Sequence, residues 1–143
     1  MKMVDVGAKP KTERVAVATA RLSMLPATVA RIRQGKVEKG DVLAAARLSA
    51  VMAAKRTPDL IPLCHPISLS AVTPTLRLVR GAVEISVEVR TVDRTGVEME
   101  ALTSVTVACL TVVDMTKAVD PRSVIQDVQV ESKTGGKTGS WQR

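Results

Sequence analysis

The 143-residue chain combines a strongly basic balance with almost no aromatic residues. Its length allows one domain with a real hydrophobic core and excludes two comfortable ones, and with no Phe or Tyr that core must consist of Val, Leu, Ile, Ala and Met. The formal charge of +7 favours an anionic partner, whether nucleic acid, acidic lipid or a phosphorylated small molecule. Two cysteines exclude a disulfide framework, and with no signal-like N-terminus they predict a reducing, cytoplasmic setting.

The chain opens with a basic segment and a candidate strand. Residues 1–14 are polar and lack periodicity, so we expect them to be flexible. Residues 15–24 could form a strand. Pro26 then suits the first turn of a short helix that runs through Gln34.

A second, alanine-rich helix is predicted to follow. Asp41 can accept hydrogen bonds from the free amides at its start. Thr57-Pro58 should end it, because the residue before a proline avoids the helical conformation. Residues 59–66, DLIPLCHP, contain two prolines and are predicted to form an ordered irregular loop.

Two strands and a turn are predicted next. Residues 83–90 alternate between apolar and polar side chains, which indicates one buried and one solvent-facing side. Residues 75–79 alternate more weakly, and Arg80-Gly81 lies between the two runs. This pattern predicts a β-hairpin.

A long apolar helix is predicted over residues 96–119. It begins with Glu98 and Glu100 and continues through thirteen uncharged residues to Asp114 and Lys117. We expect its middle to be buried nearly all round, and the thirteen uncharged residues are fewer than a membrane span needs. A protein core on one side and another subunit on the other would provide that environment.

The spacing of two acids along this helix suggests a shared site. Glu100 and Asp114 lie on nearly one face, but roughly 21 Å apart along the axis. A small ligand could contact both only if two copies of the helix ran past each other head to tail. We expect apolar surroundings to raise the pKa of Asp114, with Lys117 opposing that shift. The alternative is that Asp114 simply ends the buried stretch and meets solvent.

The last predicted element is a strand over residues 124–131, and the glycine-rich, basic residues 133–143 are expected to be flexible. The element order is therefore β-α-α-β-β-α-β. It predicts one α+β domain over residues 1–143 with a ferredoxin-like fold, in which helices pack on one face of an antiparallel sheet.

Two short segments could bind a ligand. His65 is the single histidine and lies beside Cys64 in the loop that contains two prolines. A lone histidine is more often structural, but the rigid loop favours a contact with a ligand, and both interpretations stay open. A zinc site is disfavoured, because one His and two Cys supply too few ligands. Residues 133–139 could fold onto phosphate, although Glu131 replaces the first glycine of a Walker loop; an ordinary flexible tail is the alternative.

Taken together, the motifs resemble those of the cyclic pyranopterin monophosphate synthase family of molybdenum cofactor biosynthesis. The resemblance spans nearly the whole chain in the family's order, and the joint signal is specific although each piece alone is weak. The matching segments are MVDV (3–6), KGDV (39–42), AAKRT (53–57), IPLCHP (61–66), GVEMEALT (96–103), DM (114–115), KAV (117–119), Lys133 and GGK (135–137).

The resemblance implies a ferredoxin-like subunit in a hexamer, a trimer of dimers. It implies a lyase that converts a cyclised dihydro-GTP into cyclic pyranopterin monophosphate and pyrophosphate, with no cofactor or metal expected and no nucleic-acid or membrane partner. A non-catalytic, anion-binding or nucleic-acid-binding oligomer is the alternative. RNA binding is disfavoured, because the predicted strands carry no aromatic side chains on which bases could stack.

By motif match, the resemblance assigns roles to twelve residues. Asp114, Lys117 and Lys39 are expected to be catalytic. Substrate contacts are expected from Leu63, Cys64, His65, Met99, Glu100, Lys55, Arg56, Lys133 and Lys137. Two positions depart from the family pattern: Val113 replaces a frequent tyrosine and Thr116 a frequent cysteine.

Overall fold

A computed structural model describes residues 1–137 and 139–143 of the chain. Five strands form one antiparallel sheet in the order β2-β3-β1-β4-β5. The predicted α+β class, with helices against an antiparallel sheet in a ferredoxin-like arrangement, is confirmed. The elements are β1 Thr12–Ser23, α1 Pro26–Arg33, α2 Val42–Leu60, β2 Leu69–Val79, β3 Ala82–Asp93, α3 Glu98–Thr116, β4 Val124–Thr134 and β5 Trp141–Gln142.

The sheet buries one face because its two central strands alternate strictly. In β3, Val83, Ile85, Val87 and Val89 are buried, and the residues between them are not. The facing residues of β1 include Ala16, Ala18 and Ala20, whose small side chains let a helix approach the sheet closely. The turn predicted at Arg80-Gly81 joins β2 to β3, and Gly81 adopts a φ of +74° there.

Helices α2 and α3 cover this face and run antiparallel to each other. Small buried residues line their contact, including Ala46, Ala50 and Ala108. The Ser104 hydroxyl donates to the Ala50 carbonyl at 2.9 Å, which ties the two helices together inside the core. The start of α2 therefore lies beside the end of α3, a relation that positions the charged residues described below.

The predicted break in α2 at Thr57-Pro58 is wrong. The helix continues to Leu60, with Pro58 inside its last turn. Thr57 is fully buried and its hydroxyl donates to the Ala53 carbonyl, while the Ile61 amide still donates to the Thr57 carbonyl. Burial of this turn outweighs the local preference of a residue that precedes proline. The irregular loop consequently begins at Ile61 rather than at residue 59.

In the single protomer α3 is buried on one side, and its other side is open to the predicted second subunit. Eight of its residues are buried, but Leu110 is 52% exposed. Leu48 and Met52 of α2 are exposed beside it, so the two helices present an apolar face to solvent. By length and composition α3 could cross a membrane, although a buried core helix meets the same criteria.

The strands are longer than the sequence patterns predict. β1 begins at Thr12, within the segment expected to be flexible, and β2 begins six residues before the predicted position 75. β4 continues through Lys133 to Thr134. The short β5 pairs Trp141 with Lys133 and was not predicted.

Candidate active site

The loop after α2 and the first turn of α3 together form a cavity of about 550 Å³. Its wall contains a polar contact between the two elements, since the Cys64 thiol donates to Glu100 Oε1 at 3.6 Å. Five residues predicted to contact substrate line this cavity: Leu63, Cys64, His65, Met99 and Glu100. Its remaining lining comes from the N-terminal segment and residues 95–98, including Lys2, Lys9 and Glu98.

Glu100 is an unusual group in this wall. Its side chain is 1% exposed, and its Oε2 atom has no hydrogen-bond partner within the described part of the chain. Burial raises the pKa of Glu100. Burial and then the neighbouring carboxyl raise the pKa of Cys64 to about 11. Burial therefore favours the protonated form of each group more than water would, and the Glu100 Oε2 atom is available to a ligand.

Lys133 reaches the rim of the same cavity from β4. Its ammonium group forms an ion pair with Glu98 Oε1 at 2.6 Å, and its side chain is only 17% exposed. Glu98 itself lines the cavity, so it holds Lys133 beside the opening. A second cavity of about 600 Å³ adjoins this region and is lined by Lys9, Arg14 and Lys137. Lys9 lines both cavities, which makes this side of the molecule strongly cationic.

A cluster of three charged residues, the Asp114 cluster, lies at the other end of α3 from the cavity and consists of Asp114, Lys117 and Lys39. The Asp114 carboxylate accepts a hydrogen bond from Lys117 at 2.6 Å and another from Lys39 at 2.8 Å. Lys39 also donates a hydrogen bond to the Asp114 backbone carbonyl. Lys39 lies in the segment before α2, and reaches Asp114 because the start of α2 is beside the end of α3. The three predicted catalytic residues therefore form one contact group.

The expected rise in the pKa of Asp114 is wrong in this environment. The Lys117 and Lys39 ammonium groups lower the pKa of Asp114 from 3.8 to about 2. The carboxylate is more than half exposed, so burial opposes the two lysines only weakly. Asp114 is thus ionised at neutral pH, where it can accept a proton or hydrogen bond but cannot donate one.

Most of the length of α3 separates the Asp114 cluster from the Glu100 cavity, which is the cavity of about 550 Å³ lined by Leu63, Cys64, His65, Met99 and Glu100. Glu100 and Asp114 are fourteen positions apart, which corresponds to roughly 21 Å along a helix. A nucleotide-sized ligand cannot therefore contact both residues on the same helix.

A sequence model of the MoaC family matches residues 3–136. The chain belongs to the MoaC family.

Curated relatives cover nearly the whole chain. A cyclic pyranopterin monophosphate synthase from Streptomyces coelicolor is 59% identical over 142 residues, which are 99% of this chain and 84% of that protein. Proteins of the same name from Streptomyces avermitilis and Thermomicrobium roseum are 58% and 54% identical, with 99% of this chain covered in each case. Among solved structures, the de novo designed protein Foldit4 aligns with 87% of this chain and 99% of its own, at a TM-score of 0.35 and 14% identity.

In this MoaC-family chain, two of the predicted substrate residues lie apart from the Asp114 cluster and the Glu100 cavity. Lys55 and Arg56 are exposed near the end of α2. Arg56 lines a small apolar groove with Met52 and Leu60, on the exposed helix face rather than in the 550 Å³ cavity. Lys137 lies in the adjoining cationic cavity.

Arg14 is a candidate functional residue that the sequence interpretation missed. Arg14 is only 8% exposed, and its guanidinium donates hydrogen bonds to the backbone carbonyls of Asp93 and Arg94. A Cβ at Gly136 would come within 2.4 Å of its Nη1 atom, so the glycine lets the tail pass directly over the guanidinium. The sequence does contain a signal, because Arg14 is in phase with the buried alanines of β1, but the prediction of a flexible segment over residues 1–14 conceals it.

Proposed function

We propose that this chain converts a cyclised dihydro-GTP into cyclic pyranopterin monophosphate and releases pyrophosphate, as a lyase of molybdenum cofactor biosynthesis in the cytoplasm. Family membership and the names of its relatives support this activity. The observation that carries the mechanism is the division of polar residues between the two ends of α3. Each end presents half of the groups that the reaction requires.

The complete site forms between two protomers. If two α3 helices run head to tail, the Asp114 cluster of one protomer lies beside the Glu100 cavity of the other. The exposed apolar face of α2 and α3, with Leu48, Met52 and Leu110, supplies the surface that such a pair would bury. Three of these dimers form the proposed hexamer.

The Glu100 cavity holds the base and sugar of the substrate. Glu100 can exchange hydrogen bonds with a purine-like ring through its unpartnered Oε2 atom. His65 and the Cys64 thiol provide further polar contacts, while Leu63 and Met99 pack on the apolar surfaces of the ligand. Burial raises the pKa of Glu100, so the protonated carboxyl, which can donate as well as accept a hydrogen bond, is favoured in this wall more than it would be in water.

The triphosphate lies on the cationic side of the cavity. Lys133 and Lys137 bind its oxygens, with Arg14 and Lys9 in the adjoining cavity. Lys133 must exchange Glu98 for phosphate, and this competition makes binding sensitive to the charge at position 98. Lys55 and Arg56 of a neighbouring protomer approach the phosphates from the helix face. These cations stabilise the charge that develops on departing pyrophosphate.

The Asp114 cluster supplies the proton transfers. Because Asp114 is ionised, it can accept a proton but cannot donate one. The ammonium groups of Lys39 and Lys117 must therefore donate the protons. A carboxylate with a pKa of about 2 is a weak base at neutral pH. Covering the cluster with a second protomer and the substrate removes water, which raises the pKa of Asp114 towards the range in which it can take a proton.

Mixed oligomers test both the activity and the shared site. Asp114→Asn and His65→Ala should each abolish pyrophosphate release and the formation of a product that oxidises to a fluorescent pterin. Mixed in equal amounts under conditions that exchange subunits, the two variants should recover about a quarter of wild-type activity, because half of random dimers are mixed and each has one intact site.

Two controls make the mixing experiment decisive. Each variant carried through the exchange alone should remain inactive, and native mass spectrometry should show that mixed oligomers form. Mixed oligomers without recovered activity would refute a site shared between these two residues. An inactive wild-type protein would refute the proposed reaction itself.

A further inference from the structure

A second buried carboxylate, Asp120, lies in the turn after α3. It is 2% exposed, and its Oδ2 atom accepts from the Leu25 amide and from the Thr28 hydroxyl, both at 2.9 Å. α1 has no side-chain cap of its own, because Leu25 occupies the N-cap position. Asp120 therefore caps α1 from a distance of 95 residues along the chain.

The same residue is firmly attached to the last turn of α3. The Asp120 amide donates to the Thr116 carbonyl at 2.9 Å, and the Lys117 amide donates to the Val113 carbonyl at 2.8 Å. Thr116 is fully buried, which fixes this turn against the core. Any displacement of Asp120 must therefore move the backbone that carries Lys117.

The other end of this connection leads to Lys39. α1 continues into residues 34–41, and this segment places the Lys39 ammonium against Asp114. α1 itself lies mainly against β2 and β3. A cavity of about 230 Å³ lies between residues 35–38 and the end of α3, so this segment packs loosely against α3, although the partly buried Val37 contacts the core.

From these contacts we propose that Asp120 is a positioning residue, which fixes α1 to the end of α3 and thereby sets Lys39 against Asp114 and Lys117. The inference rests on the proposed function, because it concerns the same proton-transfer cluster. Asp120 itself lies inside the protein and is not proposed to contact substrate.

A matched pair at position 28 tests this role without changing any acid. Thr28→Val removes one donor to Asp120 and keeps the shape of the side chain, whereas Thr28→Ser keeps the hydroxyl. We expect Thr28→Val and Asp120→Asn to lower kcat by roughly 10- to 100-fold, because small misplacements of catalytic groups have effects of that size. The KM for the cyclised dihydro-GTP should change little, and Thr28→Ser should retain most of the wild-type kcat.

A readout independent of turnover separates positioning from simple destabilisation. Lys39 and Lys117 are the charged groups that contact Asp114 in the described part of the chain. In Thr28→Val and Asp120→Asn, loosening Lys39 should raise the pH at which the ¹³C-labelled Asp114 carboxyl titrates. Ser104→Ala serves as the control, since it removes a buried hydrogen bond between α2 and α3 but leaves α1 unchanged.

The outcomes are distinguishable. If Thr28→Val and Asp120→Asn melt earlier, as Ser104→Ala should, yet keep wild-type kcat and an unchanged Asp114 titration, Asp120 is structural and the inference fails. If the wild-type protein does not consume the substrate, the proposed function fails, and the Asp114 titration still decides whether Asp120 positions the cluster.

Discussion

The Asp114 cluster allows a quantitative prediction, because two lysines account for its low pKa. Replacing both with glutamine, in a Lys39→Gln/Lys117→Gln variant, removes the ammonium groups at 2.8 and 2.6 Å. The pKa of Asp114 should return from about 2 towards 3.8. Near pH 3, the ionised fraction of Asp114 should therefore fall from about nine in ten to about one in seven.

Carboxyl ¹³C NMR of the intact protein with labelled aspartate measures this fraction directly. Asp114→Asn identifies the signal, and far-UV circular dichroism establishes that the protein stays folded over the acid range used. The Lys117→Gln single variant should account for the larger part of the change, because its hydrogen bond is the shorter one and has the larger effect. The cluster is exposed, so 1 M salt should also raise the pKa of Asp114, since the Debye length then falls to about 3 Å.

Lys36→Gln is the matched control for this experiment. Lys36 lies three residues before Lys39 and carries the same charge, but it forms none of the contacts that Asp114 makes. Its replacement should leave the titration unchanged. An Asp114 signal that titrates near 3.8 in the wild-type protein, or that is indifferent to both lysines, would refute the electrostatic account of the cluster.

Three further changes test other parts of the molecule. Glu100→Gln should raise the free energy of unfolding at pH 7, because burial raises the pKa of Glu100 and its ionisation in the folded protein therefore lowers stability as the pH rises above 4.5. Calorimetry at fixed protomer concentration should show the gain shrinking towards pH 5; a lower Tm at pH 7 would contradict it. Gly135→Ala puts a Cβ 2.3 Å from the Glu13 carbonyl oxygen, whereas a Cβ at Gly139 meets nothing within 4 Å in the described part of the chain. Gly139→Ala should therefore cost only the left-handed backbone strain of about 1–2 kcal/mol. Gly135→Ala should lower the Tm more than Gly139→Ala does. Equal losses would exclude the close contact as a cause. Leu110→Lys should dissociate the oligomer in sedimentation experiments without changing the far-UV spectrum, because this side chain is half exposed in the protomer. An intact oligomer would remove Leu110 from the interface.

Much of the sheet could be predicted because alternation directly reflects burial on one face. The run from Val83 to Val89 and the Arg80-Gly81 turn required no tertiary information. The end of α2 could not be predicted in the same way, since the local effect of Pro58 is opposed by burial of Thr57, a tertiary property. The pairing of β5 with Lys133 depends on partners that the tail sequence does not reveal.

The candidate site shows the same division between local pattern and long-range contact. Motif resemblance identified Cys64, His65 and Glu100, and the structure places them around one cavity. It did not identify Arg14 or Asp120. Their hydrogen bonds connect residues 79 to 95 positions apart, and their side chains become notable only when burial is known.

The protonation states at the two ends of α3 explain why the proposed site requires both protomers. In one protomer, Glu100 is buried and its Oε2 atom has no hydrogen-bond partner among residues 1–137 and 139–143, whereas Asp114 is exposed between two lysines. Bringing these ends together would shift the two pKa values in opposite directions. The lysines would lower the pKa of Glu100, and the loss of water would raise the pKa of Asp114. Two acids that titrate far apart in the separate protomer would then titrate closer together. Assembly would thus change the proton affinity of both acids.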